Sequence, residues 1–124
     1  MSAPIRLVIA GSRTFSDYPL LAQHADAICF ECVEDIPESI TIISGGARGA
    51  DALGEQYARL CNLPCERYPA EWDKYGKSAG YIRNEQMAKI CTHILCFWDG
   101  QSRGTSHMIS LAARYQRTLK IVRF

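Results

Sequence analysis

Three stretches of the chain place glycine beside arginine, a combination that suits the binding of an anion. They are residues 11–14, 44–51 and 99–106. Glycine lets a backbone approach a ligand closely, and the arginine guanidinium can donate two hydrogen bonds at once to a pair of phosphate or carboxylate oxygens. These stretches therefore predict a site for a phosphorylated small molecule.

The residues predicted to contact the phosphate supply backbone amides, hydroxyl groups or positive charge. They are Gly11, Ser12, Arg13, Ser44, Gly45, Gly46, Arg48, Gly49, Ser102, Arg103, Gly104 and Thr105. Neither Gly-x-x-x-x-Gly-Lys-[Ser/Thr] nor an early Gly-x-Gly-x-x-Gly occurs in the sequence. The chain therefore lacks the usual triphosphate and dinucleotide fingerprints.

A fourth arginine, Arg83, has helical spacing with Met87 and Ile90 and should share their buried face. Near the start of its helix, that face looks toward the three loops. Four of the ten arginines in the sequence are thus expected to converge on one place. Asp51 and Asp99 are candidates for ribose hydroxyl contacts, with pairing to an arginine as the alternative for both.

The aromatic stretch 68–77 follows the third predicted strand and is predicted to be a loop at the same rim. Trp72 and Tyr75 could stack on a nucleobase, with Lys74 or Lys77 nearer a phosphate. In the alternative interpretation, these side chains cover the edge of the sheet.

The elements that must position these residues alternate along the chain. Short apolar runs predict strands at 5–10, 41–44, 65–68, 93–98 and 119–122, and helical periodicity predicts helices at 17–33, 48–60, 78–90 and 105–116. This alternation predicts one domain over residues 1–124, an α/β fold with a doubly wound parallel sheet of strand order 3-2-1-4-5 and helices on both faces. Such sheets bind ligands beyond the carboxyl ends of the strands, where the strand order reverses.

Composition narrows the possible partners. The formal net charge is +1, with 14 basic and 13 acidic residues, which disfavours a general nucleic-acid or membrane-surface binder. The first apolar run is too short for export or a membrane span, so a cytoplasmic protein is expected. The six cysteines occur as Cys29 with Cys32, Cys61 with Cys65, and Cys91 with Cys96. Buried thiols are the favoured interpretation and a zinc site is the alternative.

The sequence resembles the YspA-like branch of the SLOG superfamily over nearly its whole length. The resemblance is carried by Gly11-Ser12-Arg13, Ser44 to Asp51, Trp72 with Tyr75-Gly76-Lys77, Ala79-Gly80 with Arg83-Asn84, Phe97 to Gly100, and Ser102 to Thr105. It implies a Rossmann-like fold that binds or processes nucleotides and their derivatives, and it adds Asn84 to the candidate site. A homodimer is also implied by the resemblance alone.

LOG-type enzymes of that superfamily cleave the N-glycosidic bond of nucleoside 5′-monophosphates with a motif arginine and a motif glutamate. Arg83 matches the arginine, but Met108 occupies the glutamate position, and a thioether cannot transfer a proton. The first hypothesis is therefore binding of a nucleotide or nucleotide-derived ligand, without a metal or another cofactor. The alternative is a nucleotide hydrolase with Arg83, Asp51 and Asp99 as catalytic candidates. Single-stranded nucleic-acid binding is the third hypothesis, and the net charge disfavours it.

Overall fold

The computed structural model describes residues 4–31 and 39–124. It contains a parallel sheet of five strands: β1 (Ile5–Gly11), β2 (Ile40–Ser44), β3 (Cys65–Arg67), β4 (His93–Trp98) and β5 (Thr118–Arg123). The strand order is β3-β2-β1-β4-β5, which confirms the predicted order 3-2-1-4-5. Because the order reverses between β1 and β4, the loops after these two strands face each other across the carboxyl edge of the sheet.

The helices are α1 (Tyr18–Asp26), α2 (Ala50–Leu60), α3 (Trp72–Tyr75), α4 (Ala79–Ile90) and α5 (Arg103–Arg114). Asp17 caps α1, its side chain accepting a hydrogen bond from the Leu20 amide at 3.1 Å. The helix predicted for 17–33 continues after α1 as a π-helical turn over Ala27–Glu31. The rest of that prediction lies outside the described residues.

The prediction of a loop over the aromatic stretch is wrong for residues 72–77. Helix α3 and a 3₁₀ turn over Gly76–Ser78 lead directly into α4. The amides of Lys74 and Tyr75 both donate to the Glu71 carbonyl at 3.0 Å. Gly76, with φ of 59°, then ends α3, because this backbone conformation is accessible to glycine at little cost. A single turn of this kind is too short to leave a helical period in the sequence.

Helices pack on both faces of the sheet, as predicted. Leu7 and Ile9 of β1 lie in one buried cluster with Leu21 of α1 and Tyr57 of α2. The residue between them, Val8, points to the opposite face, where the second cluster forms. That cluster includes Met87 of α4 and Leu111 of α5. Since β1 is buried on both faces, its apolar run needs no alternation, and it fixes the base of the rim loops.

The buried-thiol interpretation is confirmed for Cys29, Cys91 and Cys96, whereas Cys65 is exposed. Burial raises the pKa of Cys29 and of Cys96 to about 12. Cys32 lies outside the described residues. Within residues 4–31 and 39–124, no cluster of three or more His, Cys, Asp or Glu side chains could hold a metal ion. In the same residues, no helix is both long enough and apolar enough to cross a membrane.

Candidate functional site

A cleft of about 390 Å³ opens where β1 and β4 end. Its walls come from the loops after these strands, from the first turns of α2 and α5, and from α4. The lining residues are Ala10, Gly11, Ser12, Arg13, Thr14, Asp51, Arg83, Asn84, Met87, Asp99, Ser102, Gly104, Thr105 and Met108. The cleft therefore lies at the switch point that the strand order predicts.

Asp51 and Arg83 bring opposite charges into the wall of the cleft. Asp51, in the first turn of α2, is only 5% exposed, and its Oδ2 accepts a hydrogen bond from the Ala47 amide at 3.2 Å. Arg83 donates from Nη1 to the Gly45 carbonyl and from Nε to Asn84 Oδ1 at 2.9 Å. Burial raises the pKa of Asp51 to about 6, against the opposing effects of the Ala47 hydrogen bond and of Arg83. Burial likewise lowers the pKa of Arg83.

The loop after β4 is organised by Asp99. Its Oδ1 accepts hydrogen bonds from the amides of Gln101 and Ser102, both at 2.8 Å. These backbone hydrogen bonds lower the pKa of Asp99. The Asp99 amide donates to the buried Ser12 hydroxyl at 3.3 Å, which joins the loops that follow β1 and β4. The carboxylate thus stays ionised and holds the loop that precedes α5.

Helix α5 presents its N-terminal end to the cleft. Ser102 is its cap, with Oγ accepting from the Thr105 amide at 3.4 Å. In the described part of the chain, the amides of Arg13, Thr14 and Gly104 donate to no protein acceptor. All three residues line the cleft. Unpartnered amides beside a helix N-terminus make a favourable environment for an anion.

The loop after β2 supports the cleft from behind, and Ser44, Gly45, Gly46, Arg48 and Gly49 are not among its lining residues. A Cβ added at Gly45 would lie 2.5 Å from Arg83 Nη1 and 2.8 Å from Asp51 Oδ2. A Cβ at Gly49, where φ is 77°, would lie 2.6 Å from the Arg13 carbonyl carbon. These two glycines allow the residues around the cleft to pack closely, and their contact with a phosphate stays a prediction.

The four predicted arginines separate into two pairs. Arg13 and Arg83 line the cleft, whereas Arg48 and Arg103 are exposed and do not line it. The three catalytic candidates, Asp51, Arg83 and Asp99, all line it. The spacing from Met87 predicted the Arg83 placement, because the sheet fixes the buried face of α4, whereas Ile90, expected on the same buried face, is 37% exposed. Arg48 lies in a turn and Arg103 at the first position of α5, where no periodicity indicates the direction of a side chain.

Four residues that line the cleft were not among the contacts predicted from the sequence: Ala10, Thr14, Met87 and Met108. Both methionines are 1% exposed. Glu55, one turn beyond Asp51 on α2, accepts from Ser44 Oγ at 2.6 Å and pairs with Arg67 Nε at 3.3 Å. The spacing of Glu55 from Asp51 was the available signal for its position behind the loop.

A second cavity of about 240 Å³ adjoins the cleft. It shares Arg13, Arg83, Asn84 and Gly104 with the cleft, and is otherwise lined by Trp72, Lys77, Gly80 and Tyr81. The Tyr81 ring packs edge to face on His107, with 4.6 Å between ring centroids. His107 Nδ1 lies 3.4 Å from Asn84 Nδ2, and burial lowers the pKa of this histidine. The His107 ring therefore supports Tyr81, which lines the second cavity.

The sequence of this chain is similar to those of known proteins. A model of the YAcAr family, described as YspA, cpYpsA-related SLOG, matches residues 5–75. The Gene 61 protein of Mycobacterium phage D29 is 32% identical over 115 residues, covering 88% of this chain and 89% of that protein.

Two solved structures match this chain, and the first of them is similar in fold. One is DNA processing protein A from Helicobacter pylori, described for its single-stranded DNA binding mode, with a TM-score of 0.65 and 22% identity. The match covers 95% of this chain and 65% of that one, so the chain spans just under two thirds of its length. The other is a predicted tRNA methyltransferase subunit from Methanocaldococcus jannaschii, with a TM-score of 0.46, 15% identity, and 98% and 67% of the two chains covered.

Proposed function

Since this chain belongs to the YspA, cpYpsA-related SLOG family, we propose that its cleft binds a nucleotide or a nucleotide-derived phosphorylated ligand. One observation carries the proposal. Arg13, Arg83 and the unpartnered amide of Gly104 at the start of α5 line one cavity of about 390 Å³. Cavities of this size are typical of small-molecule sites.

The cationic groups suit a phosphate for different reasons. Among the described residues, the Arg13 guanidinium is paired with no carboxylate, and the side chain is exposed at the mouth of the cleft. A guanidinium bonds phosphate oxygens in pairs and is only weakly hydrated, so little free energy is lost when a ligand displaces its water. Arg83 is held in the wall by Gly45 and Asn84, which pre-orients its remaining N–H groups.

The acidic groups of the cleft favour a small ligand over a polymer. Asp51 and Asp99 provide acceptors suited to the hydroxyl groups of a ribose. A polyanion that ran through the cleft would bring further phosphates close to these carboxylates, and the net charge of +1 offers no wide basic surface to offset that repulsion. We therefore rank a mononucleotide-sized ligand above single-stranded DNA, which the Helicobacter pylori protein binds.

Isothermal titration tests the proposal directly. The chain is titrated with nucleoside mono- and diphosphates, cyclic nucleotides and a single-stranded oligothymidylate at two salt concentrations. Saturable 1:1 binding of one of the nucleotides is expected, with a weak salt dependence. A folded protein that binds none of them at millimolar concentration contradicts the proposal. Preferential oligonucleotide binding with a steep salt slope would favour single-stranded DNA instead, because several counterions are released.

A second candidate function, hydrolysis of the N-glycosidic bond of a nucleotide, is favoured by Asp51. A carboxyl with a pKa of about 6 is partly protonated near neutral pH, as a general acid requires. Met108, at the position of the glutamate in the LOG-type motif, supplies no second carboxylate. Chromatography for free base after incubation with nucleoside 5′-monophosphates tests this candidate. Base release that Asp51→Asn abolishes without loss of folding supports it, and the absence of release excludes it for these substrates.

A further inference from the structure

We infer that the second cavity, between Trp72 and Tyr81, holds the base of the ligand, with the phosphate on the cleft side of Arg13 and Arg83. The inference rests on the proposed function and specifies how the ligand is oriented across the two cavities. The two cavities are contiguous, since four residues line both of them. A ligand whose phosphate contacts Arg13 and Arg83 therefore has the second cavity within reach.

The residues that differ between the cavities separate them chemically. The two carboxylates, Asp51 and Asp99, line only the cleft, and its apolar side chains, Met87 and Met108, are aliphatic. Trp72 and Tyr81 line only the second cavity, together with Lys77 and Gly80. The carboxylates thus face one end of the ligand and the aromatic surfaces face the other. Of the parts of a nucleotide, only the base has an apolar face that gains from aromatic contact.

The two aromatic side chains are available for stacking. Trp72 is 51% exposed and Tyr81 is 44% exposed. The Tyr81 ring is held by its edge-to-face contact with His107. Gly80 leaves space beside Trp72, since a Cβ added there would lie 3.5 Å from Trp72 Cη2. Exposed aromatic rings that line a cavity hold apolar surface in water, and a planar ligand would remove that surface from water.

The aromatic residue that lines the second cavity together with Trp72 is Tyr81, whereas the sequence suggested Tyr75. Tyr75 lies close to Trp72 in sequence but lines neither cavity. Its ring instead contacts the Lys74 ammonium, 5.1 Å from the ring centroid. Tyr75 is 39% exposed, close to the exposure of Tyr81, so it provides a matched control for substitution.

The test compares ribose 5-phosphate with the four common nucleoside 5′-monophosphates, since only the latter carry a base. Affinities are measured for the unchanged protein, Trp72→Ala, Tyr81→Ala and the control Tyr75→Ala. In the unchanged protein, stacking should make the best nucleotide bind roughly 5- to 150-fold more tightly than ribose 5-phosphate. Trp72→Ala and Tyr81→Ala should each reduce that ratio at least severalfold and leave ribose 5-phosphate affinity unchanged, which also reports intact folding. Tyr75→Ala should keep the ratio.

A further variant fills the second cavity. Gly80→Leu should weaken nucleotide binding more than ribose 5-phosphate binding, because a Cβ there would lie 3.5 Å from Trp72 Cη2 and 3.9 Å from Arg83 Nη2. Equal affinity of the unchanged protein for nucleotides and ribose 5-phosphate overturns the inference but leaves the proposed function standing. A ratio that survives both Trp72→Ala and Tyr81→Ala does the same. Failure of the unchanged protein to bind any of these compounds overturns both.

Discussion

Asp51 and Arg83 both lie close to Gly45, so that a single Cβ added there would lie 2.8 Å from Asp51 Oδ2 and 2.5 Å from Arg83 Nη1. The Arg83 Nη1 hydrogen bond goes to the Gly45 carbonyl, while the carboxylate accepts from the Ala47 amide. The two charges are therefore oriented by one short loop. This arrangement keeps both side chains in the cleft wall without requiring them to neutralise each other fully, and it makes the loop after β2 essential to the site.

Substitution of Gly45 should reveal that dependence. We expect Gly45→Ala to reduce the free energy of unfolding by about 1–3 kcal/mol, because the new methyl group would clash with both Asp51 Oδ2 and Arg83 Nη1. Urea denaturation measures the change. Gly104→Ala is the control: a Cβ there meets nothing within 4 Å, and in a helix it should leave stability equal or up to about 1 kcal/mol higher. Equal effects of the two substitutions would contradict the packing argument.

Arg13 should contribute to ligand affinity and Arg48 should not. Both are exposed rim arginines, but only Arg13 lines the cleft. Loss of a charge-assisted hydrogen bond of about 1.5–3 kcal/mol predicts that Arg13→Ala weakens nucleotide binding roughly 10- to 150-fold by calorimetry. Arg48→Ala should remain within about twofold of the unchanged protein. Comparable losses in both variants would mean that the rim attracts anions only through its overall charge.

Stability should depend on pH through Asp51. Because the folded state raises its pKa from 3.8 to about 6, the folded protein holds this proton more tightly than the unfolded chain. The contribution is therefore fully present below pH 3.8 and is lost as the pH rises through about 6. Asp51→Asn cannot titrate, so its stability relative to the unchanged protein should rise by on the order of 2–3 kcal/mol between pH 4 and pH 7.

Denaturation of both proteins across this pH range measures the difference. Asp99→Asn is the opposing control, because backbone hydrogen bonds lower the pKa of Asp99. The stability that Asp99 contributes is present above pH 3.8 and is lost only as the pH falls below that value. A pH-independent difference for Asp51→Asn would contradict the assigned burial of the carboxyl.

Ser102, which caps α5, should contribute more to the free energy of unfolding than Ser110, which lies later in the same helix. Ser102→Ala removes the acceptor of the Thr105 amide and should lower the free energy of unfolding by about 1 kcal/mol. Ser110→Ala, later in α5, removes only a bond from its hydroxyl to the His107 carbonyl and should be neutral or slightly stabilising. Thermal unfolding compares them. A larger loss in Ser110→Ala would refute the assignment of Ser102 as the cap.

Much of the frame could be predicted because its signals are local or follow from topology. The apolar runs of β1 and β4 have no alternation, which is typical of strands buried on both faces. Alternation with helical segments then leads to the observed strand order through the handedness of crossovers. The same reasoning placed Arg83 correctly, since Met87, one turn later, fixes which face of α4 meets the sheet.

Local sequence patterns were enough to predict the strand order, the helix-covered faces and the rim where the loops with glycine and arginine lie. Tertiary structure alone decided which of those residues line the cleft: Arg13 and Arg83 do, Arg48 and Arg103 do not, and Gly45 supports the wall from behind. Tertiary structure also placed Tyr81, and not Tyr75, beside the second cavity. The physical reason is one of range. Periodicity specifies which face of an element is buried, but the convergence of side chains from separate loops depends on close packing between elements that no local pattern encodes.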